Sequence, residues 1–223
     1  MEKYSRSDPP GQIAFQIHRA GYPLIFGSAF VTLILALLGL TTLTLIGLAA
    51  TLFTCAFFRD PERVIPQRQD VVVSPADGKI IFVGNVTEGP FELGDSIKIS
   101  IFMSVFNVHV NRIPCSGRIK DINYHPGKFF SANLDKASKK NEHNALLLET
   151  DSGKNICFVQ IAGLIARRII CYVPPEEQVV RGQRFGIICF GSRLDVYIPA
   201  DSDIEVKIGD TVKAGASVLG KLY

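Results

Sequence analysis

The stretch from Tyr22 to Phe58 contains no charged residue. A single membrane-spanning helix needs about 20 apolar residues, so this stretch is too long for one upright span and slightly short for two. Gly39, Thr41 and Thr42 lie near its middle, where a tight turn between two helices would fall. We therefore predict a membrane-embedded helical hairpin over residues 22–58.

Basic residues flank this stretch on both sides: Lys3, Arg6 and Arg19 before it, and Arg59, Arg63 and Arg68 after it. The positive-inside rule then places both ends in the cytoplasm, which favours a hairpin over a single crossing. We expect residues 1–21 to form a cytoplasmic N-terminal segment and the protein to lie in the inner cell membrane. A cleaved signal peptide fits poorly, because the apolar part is too long and lacks a small-residue cleavage site. A buried helix of a soluble protein remains the alternative.

The pattern changes after the polar linker 59–70, "RDPERVIPQRQD", which contains two prolines. Apolar residues then alternate with polar ones in short runs separated by turns that contain glycine or proline, a pattern typical of strands. The clearest runs are Lys79–Val83, Ile97–Ile101, Asn155–Val159 and Ile169–Val173. No long amphipathic helix follows, so residues 71–223 are predicted to form one mainly β domain, a sandwich or small barrel.

The C-terminal "IGDTVKAGASVLGKL" and the earlier "SPADGKI" resemble the two halves of biotinyl- and lipoyl-type domains. This resemblance implies a barrel/sandwich hybrid with hammerhead-like halves, in which late strands pair with early ones. It also raises an alternative function, a membrane-anchored carrier with a lipoyl or biotinyl group on Lys136 of Asp135-Lys136-Ala137. No strands are predicted beside Lys136 to hold it at a hairpin tip, so we interpret the tripeptide as a chance match.

Composition excludes some classes of partner. The net charge is +3, from 24 basic and 21 acidic residues, which is too mild to indicate nucleic-acid binding. The five cysteines have no CxxC spacing, so we interpret them as buried thiols in a reducing compartment and not as a disulfide framework or a zinc site.

Three residues could carry chemistry: Asp77, His109 and Ser192. The β-like run 184–199, "RFGIICFGSRLDVYIP", is interrupted by Gly191 and Ser192, and Asp77 lies in a turn-like segment. In "SVFNVHVNRIP", alternation places His109 on the polar face of a strand. There it could act as a general acid or base, or it could be an ordinary half-exposed histidine. A serine hydrolase explains the set poorly, because Ser192 is not in a G-x-S-x-G elbow and no helix pattern follows. A plain turn at Gly191-Ser192 is the simplest alternative.

Several separate motifs stand in order along the chain: "FFRDPER", "SPADGKI", "VHVNRIP", "PGKFFSANLDKAS", "QIAGLIARRI" and "GQRFGIICFGSRLDVYIP". Together they resemble the short form of phosphatidylserine decarboxylase. The resemblance implies a membrane-associated enzyme that converts phosphatidylserine to phosphatidylethanolamine and CO₂. It further implies self-cleavage between Gly191 and Ser192, which leaves a large chain 1–191 and a small chain 192–223 with a pyruvoyl group made from Ser192.

The resemblance also implies roles for particular residues. The pyruvoyl group forms a Schiff base with the substrate amine, His109 returns a proton to the substrate, and Asp77 supports self-cleavage. Arg167 and Arg168 are candidate ligands of the lipid phosphate or carboxylate, although a plain surface pair is an equal alternative. We expect no metal, no pyridoxal phosphate and no nucleic-acid partner. We expect the protein to form a homo-oligomer.

The sequence departs from the family pattern at two places. Longer members carry a second histidine three residues after the first, where this chain has Arg112. Arg193 follows the serine in place of the threonine of the best-known members. The first departure leaves open which base starts self-cleavage, and we expect His109 to serve both reactions. The second leaves the Gly-Ser bond intact, so cleavage is expected.

Overall fold

The computed structural model describes residues 16–68, 70–130, 141–164, 168–189 and 191–223. The chain divides between Glu62 and Arg63 into two compact units, a helical unit before this point and a β unit after it.

The described residues of the helical unit form a 3₁₀ turn, Arg19–Gly21, and two helices, α1 (Tyr22–Leu37) and α2 (Thr41–Phe57). Gly39 lies in the turn between the helices with φ +72°, a left-handed conformation that glycine adopts without steric strain. Side chains of the two helices approach closely, because the Thr32 and Thr51 hydroxyl oxygens are 3.4 Å apart. Gly39 thus lies between the two helices, and the predicted membrane hairpin stays a prediction.

Two hydroxyl groups that face each other between the helices are each satisfied within their own helix. Thr32 donates to the Ser28 carbonyl at 2.8 Å, and Thr51 donates to the Gly47 carbonyl at 2.9 Å. The segment Arg19–Leu37, 19 residues long, has the length and composition to cross a membrane, whereas α2 is shorter. The membrane location of the hairpin stays a prediction.

The described residues of the β unit form fourteen strands and a short 3₁₀ turn, Pro90–Glu92. The strands are β1 (Val71–Val73), β2 (Gly78–Val86), β3 (Ser96–Met103), β4 (Val110–Arg112), β5 (Gly117–His125), β6 (His143–Thr150), β7 (Asn155–Ala162), β8 (Ile169–Cys171), β9 (Gln178–Val179), β10 (Arg184–Ile188), β11 (Ser192–Pro199), β12 (Asp203–Ile204), β13 (Thr211–Val212) and β14 (Val218–Lys221). The four runs predicted from alternation correspond to β2, β3, β7 and β8.

These strands form one large and two small sheets. The large sheet has eight strands in the order β13-β2-β3-β11-β7-β6-β5-β9, and the small sheets have the orders β1-β14-β12 and β4-β10-β8. All neighbouring strands whose register is described are antiparallel. The mainly β class predicted from the sequence is therefore confirmed.

Late strands pair with early ones, as the two-half pattern predicted. β14 pairs with β1 and β13 pairs with β2, with Val212 opposite Gly78. Side chains from one face of the large sheet form the main core, including Ile101, Phe158 and Leu194, which are fully buried. Burying such side chains is the main stabilising contribution in a domain of this size.

The polar segment before β1 is ordered against the β unit. Arg63 pairs with Asp77 at 2.8 Å, and Arg68 pairs with Glu205 at 2.9 Å. Part of the predicted linker 59–70 thus carries contacts within this unit.

The connection from β10 to β11 crosses between two sheets. β10 is the central strand of the sheet β4-β10-β8, and β11 lies between β3 and β7 in the large sheet. Ser192 is the first residue of β11, with Met103 opposite it on β3 and Ala162 opposite it on β7. The fold thus fixes Ser192 on both sides at the point where the chain changes sheets.

Candidate active site

The Gly191-Ser192 peptide bond lies at this crossing point. Gly191 has φ +73°, and a Cβ atom there would meet only Val105 at 3.8 Å. The backbone conformation, and not a lack of space, therefore favours glycine. Ser192 is fully buried, and its hydroxyl donates to the Met103 sulfur at 3.2 Å. A thioether is a weak acceptor, so this hydroxyl is shielded from water without being held by a strong partner.

His109 lies beside the same peptide bond. Its Nε2 accepts a hydrogen bond from the Gly191 amide at 3.3 Å, and its Nδ1 lies 3.0 Å from the Asn107 carbonyl oxygen. A carbonyl only accepts, so Nδ1 carries the proton and Nε2 presents its lone pair toward Gly191. The imidazole is thus oriented with Nε2 toward the Gly191 amide.

The surroundings of His109 differ from the sequence expectation. His109 precedes β4 by one residue and is fully buried, where alternation suggested a half-exposed position on a strand. A turn ends the alternation, because the Asn107 side chain accepts from the Ser104 amide and hydroxyl, both at 2.8 Å. His109 and Asn111 are consequently both enclosed.

Asp77 lies at the same end of the large sheet but has other partners. It directly precedes β2, and its carboxylate accepts from Arg63 at 2.8 Å and from the Ala214 amide at 2.7 Å. In the described part of the chain, these two groups are the hydrogen-bond partners of the Asp77 carboxylate. The triad-like contact with His109 is not among them, and a role of Asp77 in self-cleavage stays a prediction.

A chain of buried amide side chains leads to Ser192, and sequence reasoning missed it. The Asn144 amide donates to Gln160 at 3.2 Å, and Gln160 donates to Asn111 at 2.9 Å. The Asn111 amide in turn lies 3.9 Å from the Met103 sulfur that faces Ser192. A single glutamine inside the apolar strand "ICFVQIA" was the one available signal. Satisfied buried networks of this kind hold their members in one arrangement.

The predicted arginine ligands are only partly described. Arg168 is exposed, and its carbonyl accepts from the Cys189 amide at 3.1 Å, two residues before Gly191. Arg167 lies outside the described residues, as does Lys136 of the alternative carrier function. Arg112 is buried and donates to the Gly182 carbonyl at 2.9 Å. Substrate binding by Arg167 and Arg168 stays a prediction.

The cysteines are free thiols. Burial raises the pKa of Cys115 to about 12. Burial also raises the pKa of Cys189, although the Arg168 charge opposes this effect. The Cys189 thiol therefore stays protonated near neutral pH and is a poor nucleophile beside Gly191.

The site fits the pyruvoyl group that the sequence resemblance implies. Ser192 is enclosed by the Met103 side chain and the paired strands, and such a group keeps the three carbons of the serine. Met103 and the Ala162 backbone are the residues that would hold it. In the described part of the chain, no group of three His, Cys, Asp or Glu side chains is arranged to bind a metal ion.

Fold and site together define a mainly β protein with a buried Gly-Ser bond beside an oriented histidine. The family model described as phosphatidylserine decarboxylase matches residues 50–220. The chain belongs to the phosphatidylserine decarboxylase family, and the decarboxylase class predicted from the sequence is confirmed at this level.

Curated relatives carry the same name. The chain is 48% identical over 206 residues to a phosphatidylserine decarboxylase proenzyme of Desulfotalea psychrophila, covering 92% of this chain and 96% of the relative. It is 51% identical over 205 residues to the proenzyme of Syntrophus aciditrophicus, with the same coverage. It is 49% identical over 202 residues to that of Geotalea uraniireducens, covering 91% and 94%. The similarity thus spans nearly the full length of this chain and of each relative.

Proposed function

We propose that this protein is a self-processing phosphatidylserine decarboxylase that releases CO₂ and phosphatidylethanolamine. The observation that carries the proposal is the His109 Nε2 lone pair beside the buried Gly191-Ser192 bond. The word proenzyme in the relatives' names supports a precursor that is processed.

Self-cleavage begins when the Ser192 hydroxyl oxygen attacks the carbonyl carbon of Gly191. A bond forms between these two atoms, and the carbonyl π electrons move to the Gly191 oxygen. The C–N bond then breaks, so the peptide becomes an ester and the proton moves from the hydroxyl to the nitrogen of residue 192. Little is lost when the hydroxyl turns away from Met103, because the thioether is a weak acceptor.

His109 is the base that this geometry offers for the proton transfer. Its Nε2 lone pair already faces the amide of Gly191, and the Asn107 carbonyl fixes the required tautomer. A positioned base of this kind typically contributes about 10²–10⁴-fold. Base-assisted elimination then breaks the Cβ–Oγ bond of residue 192, and hydrolysis with loss of ammonia yields the new terminus.

The mature site would use the same side chain for turnover. The pyruvoyl group supplies a carbonyl that binds the substrate amine covalently and accepts the electrons left when CO₂ departs. His109, protonated at Nε2, returns a proton to the substrate Cα. Arg168 and Arg167 are proposed to bind the anionic part of the lipid, because guanidinium groups match phosphate and carboxylate geometry.

A phospholipid substrate also gives the helical unit a role. We propose that residues 22–58 anchor the protein in the inner cell membrane with the β unit on the cytoplasmic side. The exposed apolar side chains of α1 and α2 support this, because such surface is unfavourable in water.

Intact mass under denaturing conditions tests the proposal. The purified parent should give a large chain ending at Gly191 and a small chain starting at position 192, whose blocked N-terminus prevents Edman sequencing. Ser192→Ala should stay one chain and be inactive. Ser152→Ala, which changes an exposed turn serine, is the matched control and should cleave normally. A parent that stays one chain, or carries added mass at Lys136, would favour the carrier alternative.

A further inference from the structure

The carbonyl attacked during self-cleavage already has a hydrogen-bond donor. The Gly163 amide donates to the Gly191 carbonyl oxygen at 3.2 Å. Gly163 directly follows β7, whose last residue Ala162 is opposite Ser192 in the sheet. The donor is therefore fixed by the same strand pairing that fixes the nucleophile. The Gly191 oxygen is the atom on which negative charge develops during the attack.

Asn141 holds the peptide group to which this donor belongs. Its side-chain amide donates to the Ala162 carbonyl at 2.7 Å, and the Ala162 carbonyl and the Gly163 N–H are the two ends of one peptide group. Asn141 is almost fully buried. It is itself oriented by Phe130, whose amide donates to its Oδ1 at 3.0 Å and whose carbonyl accepts from its Nδ2 at 2.8 Å.

We infer that Asn141 is a positioning residue for self-cleavage, acting through the Gly163 amide as an oxyanion donor. This inference rests on the proposed function. The Asn141 amide fixes the plane of the Ala162–Gly163 peptide and polarises it, because hydrogen bonds in series strengthen one another. The Gly163 N–H then stabilises the negative charge that the Gly191 oxygen acquires as the Ser192 oxygen bonds to the carbonyl carbon.

The expected effect is moderate. Removing an oxyanion donor outright slows a reaction by about 10²–10³-fold. Asn141 acts through that donor, so we expect its loss to slow precursor conversion by about tenfold. The largest effect should fall on the acyl shift, because its tetrahedral intermediate holds the full negative charge on the single Gly191 oxygen that Gly163 contacts, whereas the later elimination shares the charge of the departing Gly191 carboxylate over two oxygens.

The test follows newly synthesised full-length precursor in detergent until it becomes two chains. Asn141→Asp keeps the shape and the acceptor but loses both donated hydrogen bonds, and Asn141→Ala removes the amide without adding a charge. Asn123→Asp, at an exposed position on β5, is the matched control. Hydroxylamine is added at each time point, because it splits the ester but not the peptide. Each substitution is also combined with Ser192→Ala, and thermal unfolding of this uncut protein shows whether the substituted chain still folds.

Slow conversion without a hydroxylamine-sensitive fraction, in a variant that stays folded, would support the inference. Conversion at the parent rate, or an accumulating ester, would overturn it, since the delay would then be absent or follow the acyl shift. If Asn141→Asp does not fold, Asn141→Ala decides by the same criteria. A parent that never cleaves would overturn the proposed function and this inference together, whereas a cleaving parent with unaffected variants overturns the inference alone.

Discussion

The two units of this chain distribute their side chains in opposite ways. The helical unit exposes large apolar side chains, such as Phe30 at 64% and Leu37 at 76% exposure. The β unit fully buries polar and charged ones, including His109, Gln160 and Asp195. An exposed apolar surface needs a non-aqueous partner, whereas a buried polar group needs an internal one. The exposed apolar surface of the first unit fits the proposed membrane anchor, and the buried polar groups of the second fit the proposed reaction site.

Within the β unit, the buried polar groups lie on both faces of β11. Ser192 faces the amide chain that ends at Asn144. The next residue, Arg193, faces the other way and forms two hydrogen bonds with Asp195, at 2.6 and 2.7 Å. Lys98 adds a third contact to Asp195 at 3.1 Å. One strand thus carries Ser192 on one face and a buried ion cluster on the other.

The largest effect should come from His109. His109→Ala should lose turnover by about 10²–10⁴-fold whether or not the chain is cleaved, because the substrate carbanion would lack its proton donor. The measurement is CO₂ release from detergent-dispersed phosphatidylserine, normalised to the fraction of cleaved chain. His125→Ala is the control, since His125 is exposed and stacks on His143. Cleavage and turnover near the parent rate in His109→Ala would remove His109 from the mechanism.

The ion cluster should matter for folding and not for chemistry. Asp195→Asn removes the charge that Arg193 and Lys98 share, and breaking a buried pair destabilises a protein by about 3–5 kcal/mol. Urea unfolding of the detergent-solubilised protein measures this loss. Asp201→Asn is the matched control, because Asp201 pairs with Lys154 on the surface, and it should unfold almost as the parent does. Equal urea midpoints for the two variants would mean that the buried charge of Asp195 contributes no more to stability than the surface charge of Asp201.

The class of fold could be predicted because it is encoded locally. Period-two alternation located β2, β3, β7 and β8, and the glycine-rich ends indicated that late strands pair with early ones. The uncharged stretch likewise indicated the helical part of the chain, whose membrane hairpin stays a prediction. These patterns need only neighbouring residues, so a single sequence carries them.

The site was only partly predictable because it depends on contacts between distant segments. Gly191 and Ser192 were located by a break in a strand pattern and by the family resemblance. The burial of His109 depends on a local turn at Asn107, which alternation conceals. Asn141 is hydrogen-bonded to Ala162 and Gly163 to Gly191, between segments far apart in the chain that no spacing rule links.

The pairing of Arg63 with Asp77 illustrates the same limit. Triad logic joins an aspartate to a histidine, but here the Asp77 carboxylate is held by an arginine from the segment before β1 and by the Ala214 amide. The sequence singled out Asp77, whose role in self-cleavage stays a prediction. It could not identify its partners, because Ala214 lies 137 positions further along the chain.

The smallest effect on folding should come from removing residues 22–58, the proposed membrane anchor. Ile17 forms a bridge with Arg59, and the His18 amide donates to the Phe58 carbonyl at 2.8 Å, so the two ends of the helical pair lie side by side. Residues 22–58 can therefore be replaced by a short Gly-Ser linker.

The β unit should keep its unfolding midpoint, because its core comes from its own strands. Self-cleavage should persist, and activity should fall further on phosphatidylserine vesicles than on a detergent-dispersed short-chain analogue. Vesicle flotation measures membrane binding, and the ratio of the two activities measures the dependence on vesicles. An insoluble, uncut product would instead mean that the β unit needs the helical unit in order to fold.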